Sequence, residues 1–208
     1  MNQISRYLEK ARKLDVRESA DSAARKAIEG ADRAGLVEVA WKRIDSPVGP
    51  LILANTETGL VTIAFEKGDL DDLLSRLSIR LSARVLELPA RLDPVHHQLD
   101  EYFGGRRRKF ALPLDWRLVG PGFSRAVLEA TVKIRYGSWA TYREVAAKAG
   151  NARASRAAGN ALAANPIPIV IPCHRVLRSN GSVGGYGGGV ERKELLLSLE
   201  GVSDLAEY

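Results

Sequence analysis

The chain has 208 residues, 45% apolar and 27% charged, enough for one large or two small globular domains without cross-links. A single cysteine excludes a disulfide framework, indicates a reducing compartment and, with only three histidines, leaves too few ligands for a typical zinc site. The net charge of +6 lies mainly in residues 121–208, which favours an anionic ligand such as DNA or RNA, although solubility alone would also explain it.

The N-terminal segment carries no recognisable motif. Its first residues lack the apolar core of a signal peptide, and no apolar run in the chain approaches about 18 residues, so we expect a cytoplasmic protein without a membrane span. Residues 1–36 predict one or two helices with breaks near Asp15 and at Gly30 and Gly35. We expect them to form a helical extension, and the sequence does not indicate its role.

Residues 37–112 predict an α/β domain. Three β-rich runs, VEVAWKRID, GPLILAN and GLVTIAFE, are separated by turn signals, which predicts a three-stranded antiparallel sheet. DLDDLLSRLSIRLS predicts a helix with an aspartate cap, ARVLEL is a candidate further strand, and DPVHHQLDEYFGG predicts a short helix ending at Gly104. The basic run at residues 106–109 is interpreted as a solvated loop, with a nucleic-acid contact as the alternative, and residues 113–121 predict a linker.

Residues 122–208 predict an all-α domain. FSRAVLEATVKIRYG predicts a helix whose apolar face contains Phe123, Val127, Leu128 and Val132. TYREVAAKAG predicts a second helix capped by Thr141, with a glutamate at the capping-box spacing. NARASRAAGNALAAN predicts a third, and a last helix is expected from about residue 190 to 200. The second and third helices form a candidate helix-turn-helix, although many ordinary helical hairpins have the same pattern.

Two segments of this domain have unusual compositions. The third helix consists mainly of Ala, Gly and Ser around Arg153 and Arg156, which suits either a DNA groove or a close helix–helix interface. NGSVGGYGGG matches neither glycine-rich nucleotide fingerprint. It is interpreted as a loop that brings bare backbone next to a ligand, with simple flexibility as the alternative.

The stretch NPIPIVIPCHRV places the single cysteine, Cys173, after three prolines. Each proline fixes its own φ and disfavours the helical region for the preceding residue, so we expect the run to be extended, stiff and buried. A lone cysteine in an apolar setting is most often inert. The adjacent His174 and the nearby Arg175 and Arg178 favour a reactive thiol instead, because a base or a positive field is needed to form thiolate near neutral pH.

With these motifs, residues from about 122 to 201 resemble the O6-alkylguanine-DNA alkyltransferases, also called methylated-DNA–protein-cysteine methyltransferases. PCHRV is the hallmark of that family, and here it is accompanied by the proline-rich run, the GGYGGG loop and a closing LLSLEG. The resemblance implies an α/β N-terminal domain and a helical domain that binds DNA and accepts the alkyl group. Residues 1–36 have no counterpart that we can assign.

The resemblance implies direct, irreversible, single-turnover transfer of an alkyl group from O6-alkylguanine, and also from O4-alkylthymine, to Cys173. His174, through a water molecule, and Glu200 resemble the relay that removes the thiol proton. Asn165 resembles the residue that braces the active-site turns, and Tyr142 the one that turns the nucleotide outward and helps to protonate the leaving guanine. Neither a cofactor nor a metal is implied.

The resemblance also implies DNA and substrate contacts. The partner is double-stranded DNA, held through its minor groove by a monomer with the alkylguanine flipped out, and Arg156 resembles the arginine that fills the vacated stack. The further expected DNA contacts are Arg153, Ala157, Gly159, Thr141 and Arg178. The expected pocket residues are Val176, Tyr186, Gly187 and Lys193; some relatives have Ser where this chain has Gly187, so only the backbone N–H can donate there.

Two other functions remain open at this point. A non-catalytic sensor of alkylated bases would resemble this chain but would lack the acceptor cysteine that the sequence contains. A transcriptional regulator could use the helix-turn-helix, but would usually need an effector or dimerisation module, for which residues 1–36 are short.

Overall fold

The computed structural model describes residues 22–24, 26–28, 30–66 and 70–202, and the chain divides into two compact units, Met1–Glu38 and Val39–Tyr208. In the first unit residues 30–33 are helical, and the carbonyl of Gly30 accepts from the N–H of Ala34 at 3.1 Å. Residue 29 lies outside the described residues, so the predicted break at Gly30 stays a prediction. The backbone turns at Gly35, where φ is 67°, and Asp15 lies outside the described residues.

The second unit begins with a four-stranded sheet in the order β3-β2-β1-β4. Strands β1 (Val39–Ile44), β2 (Leu51–Asn55) and β3 (Leu60–Phe65) are antiparallel, which confirms the predicted meander. The candidate run ARVLEL supplies β4 (Val85–Glu87), which pairs with β1 in parallel. The sheet is therefore mixed and has one strand more than the predicted antiparallel three.

Two helices accompany the sheet. Helix α1 (Leu70–Arg80) carries acidic residues in its first turn, and the predicted aspartate cap, Asp69, lies outside the described residues. Helix α2 (Asp93–Phe103) begins with Pro94 in its first turn, where a missing N–H costs nothing, and ends before Gly104 as predicted. A short 3₁₀ turn, Pro89–Leu92, leads into α2.

Residues 113–121, which we expected to be a linker, begin along the edge of β3. The N–H of Leu60 donates to the carbonyl of Pro113, and the N–H of Asp115 donates to the carbonyl of Leu60, each at 2.9 Å. The carboxylate of Asp115 is buried and accepts from the Thr56 hydroxyl at 2.6 Å. The chain therefore reaches the helical domain along a fixed path.

The helical domain packs α3 (Phe123–Val132), α4 (Tyr142–Lys148) and α5 (Ser155–Ala163) together. Thr141 and Glu144 form the predicted capping box at the start of α4. Val132, which we expected on the buried face of α3, is 43% exposed. The buried position beside it is Thr131, whose hydroxyl donates to the Val127 carbonyl at 2.8 Å and so needs no water.

The remaining elements surround the cysteine. A 3₁₀ turn (Cys173–Arg175) is followed by β6 (Val176–Leu177), which pairs in parallel with β5 (Ala140–Thr141) before α4. The last helix, α6 (Val190–Leu199), ends at Glu200. An α/β part followed by a helical part is the predicted fold class. In the part of the chain described here, none of the helices combines the length and apolarity that crossing a membrane requires.

Candidate active site

The run before Cys173 is buried as predicted, but it is not extended. The N–H of Ile171 donates to the carbonyl of Ile167 at 2.9 Å, and Ile169 has a φ of 74°. The prolines restrict only themselves and the residues before them, which leaves Ile169 and Val170 free to turn. A β-branched residue with positive φ is rare and costs on the order of 1–3 kcal/mol, so the surrounding packing has to hold this turn.

Asn165 holds the turn in place. Its side-chain oxygen accepts from the N–H of Ile167 at 3.0 Å, while Nδ2 donates to the carbonyl of Ile171 at 2.9 Å. The same Nδ2 lies 3.1 Å from Sγ of Cys173. One amide thus connects the start of the turn, its end and the sulfur.

Cys173 is 7% exposed. Burial raises the pKa of its thiol, and the hydrogen bond from Asn165 and the positive charge of Lys193 oppose that rise. Because burial dominates, the resting group is a thiol, and forming the thiolate requires a base.

The base next to it is His174, which is fully buried. Its Nε2 lies 3.0 Å from Oε1 of Glu200, and within the described part of the chain its buried Nδ1 has no hydrogen-bond partner. Burial lowers the pKa of His174, so the ring is neutral near pH 7. Burial also acts to raise the pKa of Glu200, but hydrogen bonds from His174 and Arg175 outweigh it and hold that pKa at about 2.

Two partners of Glu200 were not predicted from the sequence. Arg175 donates to both carboxylate oxygens at 2.8 Å, and the Tyr102 hydroxyl donates to Oε1 at 2.6 Å. Arg175 stands within the PCHRV motif, but its role was taken only as a local positive charge. Tyr102 lies 98 residues from Glu200, and no local pattern connects the two.

Lys193 and Tyr142 lie on another side of the cysteine turn. Nζ of Lys193, a fully buried group, donates to the carbonyl of Val176 at 2.6 Å, and burial lowers its pKa to about 8. Nζ is 6.0 Å from the centre of the Tyr142 ring. The Tyr142 hydroxyl lies so close to Gly184 that a Cβ there would stand 2.6 Å from it, which explains one glycine of the loop.

The glycine-rich loop is attached to the α/β part through aromatic contacts. Tyr186 packs edge-on against Phe65 with centroids 5.8 Å apart, and a Cβ at Gly188 would meet both rings within 3 Å. Arg192 lies over the Phe65 ring and donates to the carbonyls of Gly188 and Val48. The loop is therefore held closely, which disfavours the interpretation as a merely flexible segment.

A cavity of about 290 Å³ opens at Cys173. Of the predicted catalytic and pocket residues, Asn165, Tyr186 and Gly187 line it together with Cys173, whereas Tyr142, Val176 and Lys193 do not. The opposite wall was not predicted; it comes from the α/β part and from Leu118, and its members are Thr62, Ile63, Ala64, Phe65, Leu73, Arg76, Leu77 and Arg80. The sulfur thus faces a space that both parts of the second unit enclose.

The predicted DNA contacts lie mostly at the surface of α5 and near it. Arg153, Arg156 and Ala157 are exposed, while Ala158 and Ala161 are buried on the opposite face. The small residues of α5 therefore form an internal helix interface on one face and an outer surface without large apolar side chains on the other, so they fit both interpretations. The remaining predicted contacts are Thr141, which caps α4, Gly159, which faces the Tyr142 ring, and Arg178, which is exposed.

A second cavity, of about 690 Å³, lies behind the relay and is lined by Tyr136 and Arg175. Arg108 and Lys109 of the basic run line it as well, so these two side chains border a concave surface. Cys173 does not line this larger space.

The comparisons with known proteins agree with this site. Residues 122–202 match the family described as 6-O-methylguanine DNA methyltransferase, DNA binding domain, and residues 39–116 match its ribonuclease-like domain. The chain therefore belongs to the 6-O-methylguanine DNA methyltransferase family, and the predicted resemblance is confirmed.

Relatives cover most of the chain. A methylated-DNA–protein-cysteine methyltransferase of Methanosarcina barkeri is 40% identical over 76% of this chain and 94% of its own length, and one of Mycobacterium leprae is 38% identical over 76% and 90%. The crystal structure of Mycobacterium tuberculosis O6-methylguanine methyltransferase is similar with a TM-score of 0.68 at 36% identity, covering 81% of this chain and 96% of that one. A structure of the M. tuberculosis protein in complex with DNA has a TM-score of 0.67 at 36% identity, covering 77% and 92%.

Proposed function

We propose that this protein repairs DNA by transferring the alkyl group of O6-alkylguanine to the sulfur of its own Cys173. The observation that carries the proposal is the position of this sulfur. It faces a cavity, and the next residue, His174, forms a buried pair with Glu200. Family membership and the names of the relatives support the same reaction.

The relay can supply the thiolate. Glu200 is ionised at neutral pH, so it accepts the proton on Nε2 of His174, and Nδ1 of the neutral ring is then the free base. Nδ1 is buried and has no partner among the described residues. We propose that it takes the thiol proton through one water molecule, while Arg175 and Tyr102 keep the carboxylate in place.

The transfer itself is a displacement at carbon. The thiolate attacks the carbon bonded to O6, the carbon–oxygen bond breaks, and the guanine leaves after taking up one proton. We propose Tyr142 as the donor of that proton, the carbonyls of Cys173 and Val176 as acceptors for the guanine amine, and Tyr186 with the Gly187 N–H as the neighbouring wall. The chain has no second cysteine to resolve the thioether, so each molecule should act once.

DNA would be held by the exposed face of α5. A guanine in duplex DNA hides O6 within the stack, so it has to be flipped out at a cost of a few kcal/mol. We propose that α5 enters the minor groove with its small residues close to the backbone, and that Arg156, which is exposed, fills the stack. Arg153 and Arg178 would contact phosphates, and the protein would act as a monomer.

Replacing the acceptor separates chemistry from binding. We expect Cys173→Ser to abolish the transfer of methyl from duplex O6-methylguanine while leaving the affinity for that duplex unchanged, because α5 does not depend on the sulfur. Single-turnover assays and titration of labelled duplex measure the two quantities. A wild type that binds the damaged duplex but transfers nothing would indicate a sensor, and binding that depends on sequence rather than on damage would indicate a regulator.

A further inference from the structure

The cavity at Cys173, of about 290 Å³, has to receive the flipped guanine together with its O6-alkyl group. Tyr186 and Gly187, which we propose as the wall beside the base, line one side of it, while Arg76 and Arg80 line the side that the α/β part supplies. In an in-line displacement the carbon that is attacked lies against the sulfur, and any longer chain has to leave the reaction axis sideways. The space toward the α/β part is available for such a chain.

The far wall of this space is fixed relative to the sulfur. The carbonyl of Pro166 accepts from the N–H of Ile63 at 2.9 Å and from the Thr62 hydroxyl at 2.8 Å. These two bonds attach β3 to the turn that leads to Cys173. The β3 part of the wall is therefore held in place beside the site, and α1 packs on it through Leu77, which lies in one buried cluster with Val61.

The charged side chains that line this wall are cationic. Arg76 and Arg80, one turn apart on α1, line the cavity, and no Asp or Glu does so among the described residues. Arg80 is oriented by a 3.0 Å hydrogen bond from Nη2 to the carbonyl of Leu118. Arg76 pairs with Asp72 at 3.4 Å, but both side chains are about two-thirds exposed, so a ligand can compete for the guanidinium at little cost.

From this arrangement we infer that the site prefers O6-alkyl groups longer than methyl that end in a carboxylate, with Arg76 and Arg80 receiving the carboxylate. The inference rests on the proposed function. The sulfur forms its bond to the carbon on O6, the carbon–oxygen bond breaks, guanine leaves with one added proton, and the carboxylate-bearing chain stays on Cys173 as a thioether. Guanidinium and carboxylate are matched in shape and charge, so two arginines can distinguish the acid from a neutral group of the same size.

The test compares two duplexes that differ only in that charge, one with O6-carboxypropylguanine and one with O6-carbamoylpropylguanine. We expect the wild type to react about three- to tenfold faster with the acid in single-turnover assays at low salt. Arg76→Gln with Arg80→Gln should bring the ratio to about one. Each ratio is taken on the same variant, so any change in its DNA affinity or folding affects both rates equally.

The matched control is Arg125→Gln, which removes a partly exposed arginine of α3 that pairs with Glu129 and does not line the cavity. It should keep the wild-type ratio. Equal wild-type rates for acid and amide, or a preference that survives in the double variant, would overturn the inference. Methyl transfer from O6-methylguanine is measured in parallel; its absence in the wild type would instead overturn the proposed function.

Discussion

At the scale of single residues, the protein keeps its nucleophile protonated and its base neutral. Burial raises the pKa of Cys173 and lowers that of His174, so neither group is charged at rest near pH 7. Among the described residues, the charges next to this pair are the carboxylate of Glu200, the guanidinium of Arg175 and the ammonium of Lys193. A proton can then move from sulfur to imidazole only if Glu200 stabilises the imidazolium that results.

Glu200→Gln tests that role. The amide keeps the size of the side chain but removes its charge, so we expect slower transfer at neutral pH and an apparent thiol pKa above that of the wild type. Part of the rate should return at higher pH, where thiolate forms without the base. Single-turnover rates from about pH 6 to 9 measure this. Lys193 has a pKa of about 8 and titrates in both proteins, so its contribution to the pH dependence cancels when the rates of the variant and the wild type are compared.

Tyr102→Phe is the matched control, because it removes one hydrogen bond to Glu200 and keeps the carboxylate. It should shift the pH–rate profile less than Glu200→Gln does. Both variants need melting curves, since Glu200→Gln leaves Arg175 buried without its anion and should also lower stability. A wild-type pH–rate profile in Glu200→Gln would remove Glu200 from the mechanism, whatever the loss of stability.

At the scale of elements, we assign DNA binding to α5 and the placement of the sulfur to the turn before Cys173. Helix α5 buries Ala158, Ala161 and Leu162 against its neighbours and leaves Arg156 on the outside. The turn ahead of Cys173 places the sulfur through packing and Asn165 and shares no described hydrogen bond with Arg156. Binding of DNA and chemistry at sulfur should therefore respond to different substitutions.

Arg156→Ala should slow repair of O6-methylguanine in duplex DNA much more than reaction with free O6-benzylguanine. The free base needs no flipping, so a side chain that fills the stack is irrelevant to it. Single-turnover rates on the two substrates measure the difference. Arg125→Ala, which removes a partly exposed arginine outside α5, is the control and should change neither rate. Equal losses on both substrates would show that Arg156 acts on folding or chemistry.

The elements themselves were predictable because their signals are local. Periodic apolar residues, turn signals and the Thr141–Glu144 capping box each lie within one segment, and the structure contains the strands and helices they predict. The turn at Ile169 was missed because the prolines on both sides suggested an extended chain. Tertiary packing sets the backbone conformation of Ile169 and Val170, the two residues that no proline restricts. Tyr102 and the cavity wall on α1 depend on contacts between distant segments, which no local pattern encodes.

At the scale of the whole molecule, the buried relay makes folding stability depend on pH. The pKa of His174 lies below its ordinary 6.5, so the unfolded chain binds a proton there before the folded one does. The pKa of Glu200 is about 2 against an ordinary 4.5, so the unfolded chain also binds the proton of this carboxyl first. In both cases stability falls as pH falls, because the unfolded state holds more protons.

We therefore expect the free energy of unfolding to decrease as the pH is lowered through 6.5, and again by a few kcal/mol between pH 4.5 and about 2. Urea denaturation at a series of pH values measures it. Glu200→Gln should reduce the second component while keeping the first, because the pKa values of Asp115 and Glu144 are also lowered by their hydrogen bonds and both groups remain in the variant. A stability that stays constant in the wild type from pH 7 down to pH 3 would contradict the assignment of Glu200 as a buried ion.

The most direct test of the central claim is the intact mass of the protein before and after mixing with duplex DNA that contains O6-methylguanine. The account predicts a gain of one methylene per molecule, complete at one equivalent of damaged DNA and located by peptide mapping on Cys173. Cys173→Ser should gain nothing. An unchanged mass after the DNA has lost its methyl group, or a methyl group on any other residue, would contradict the account.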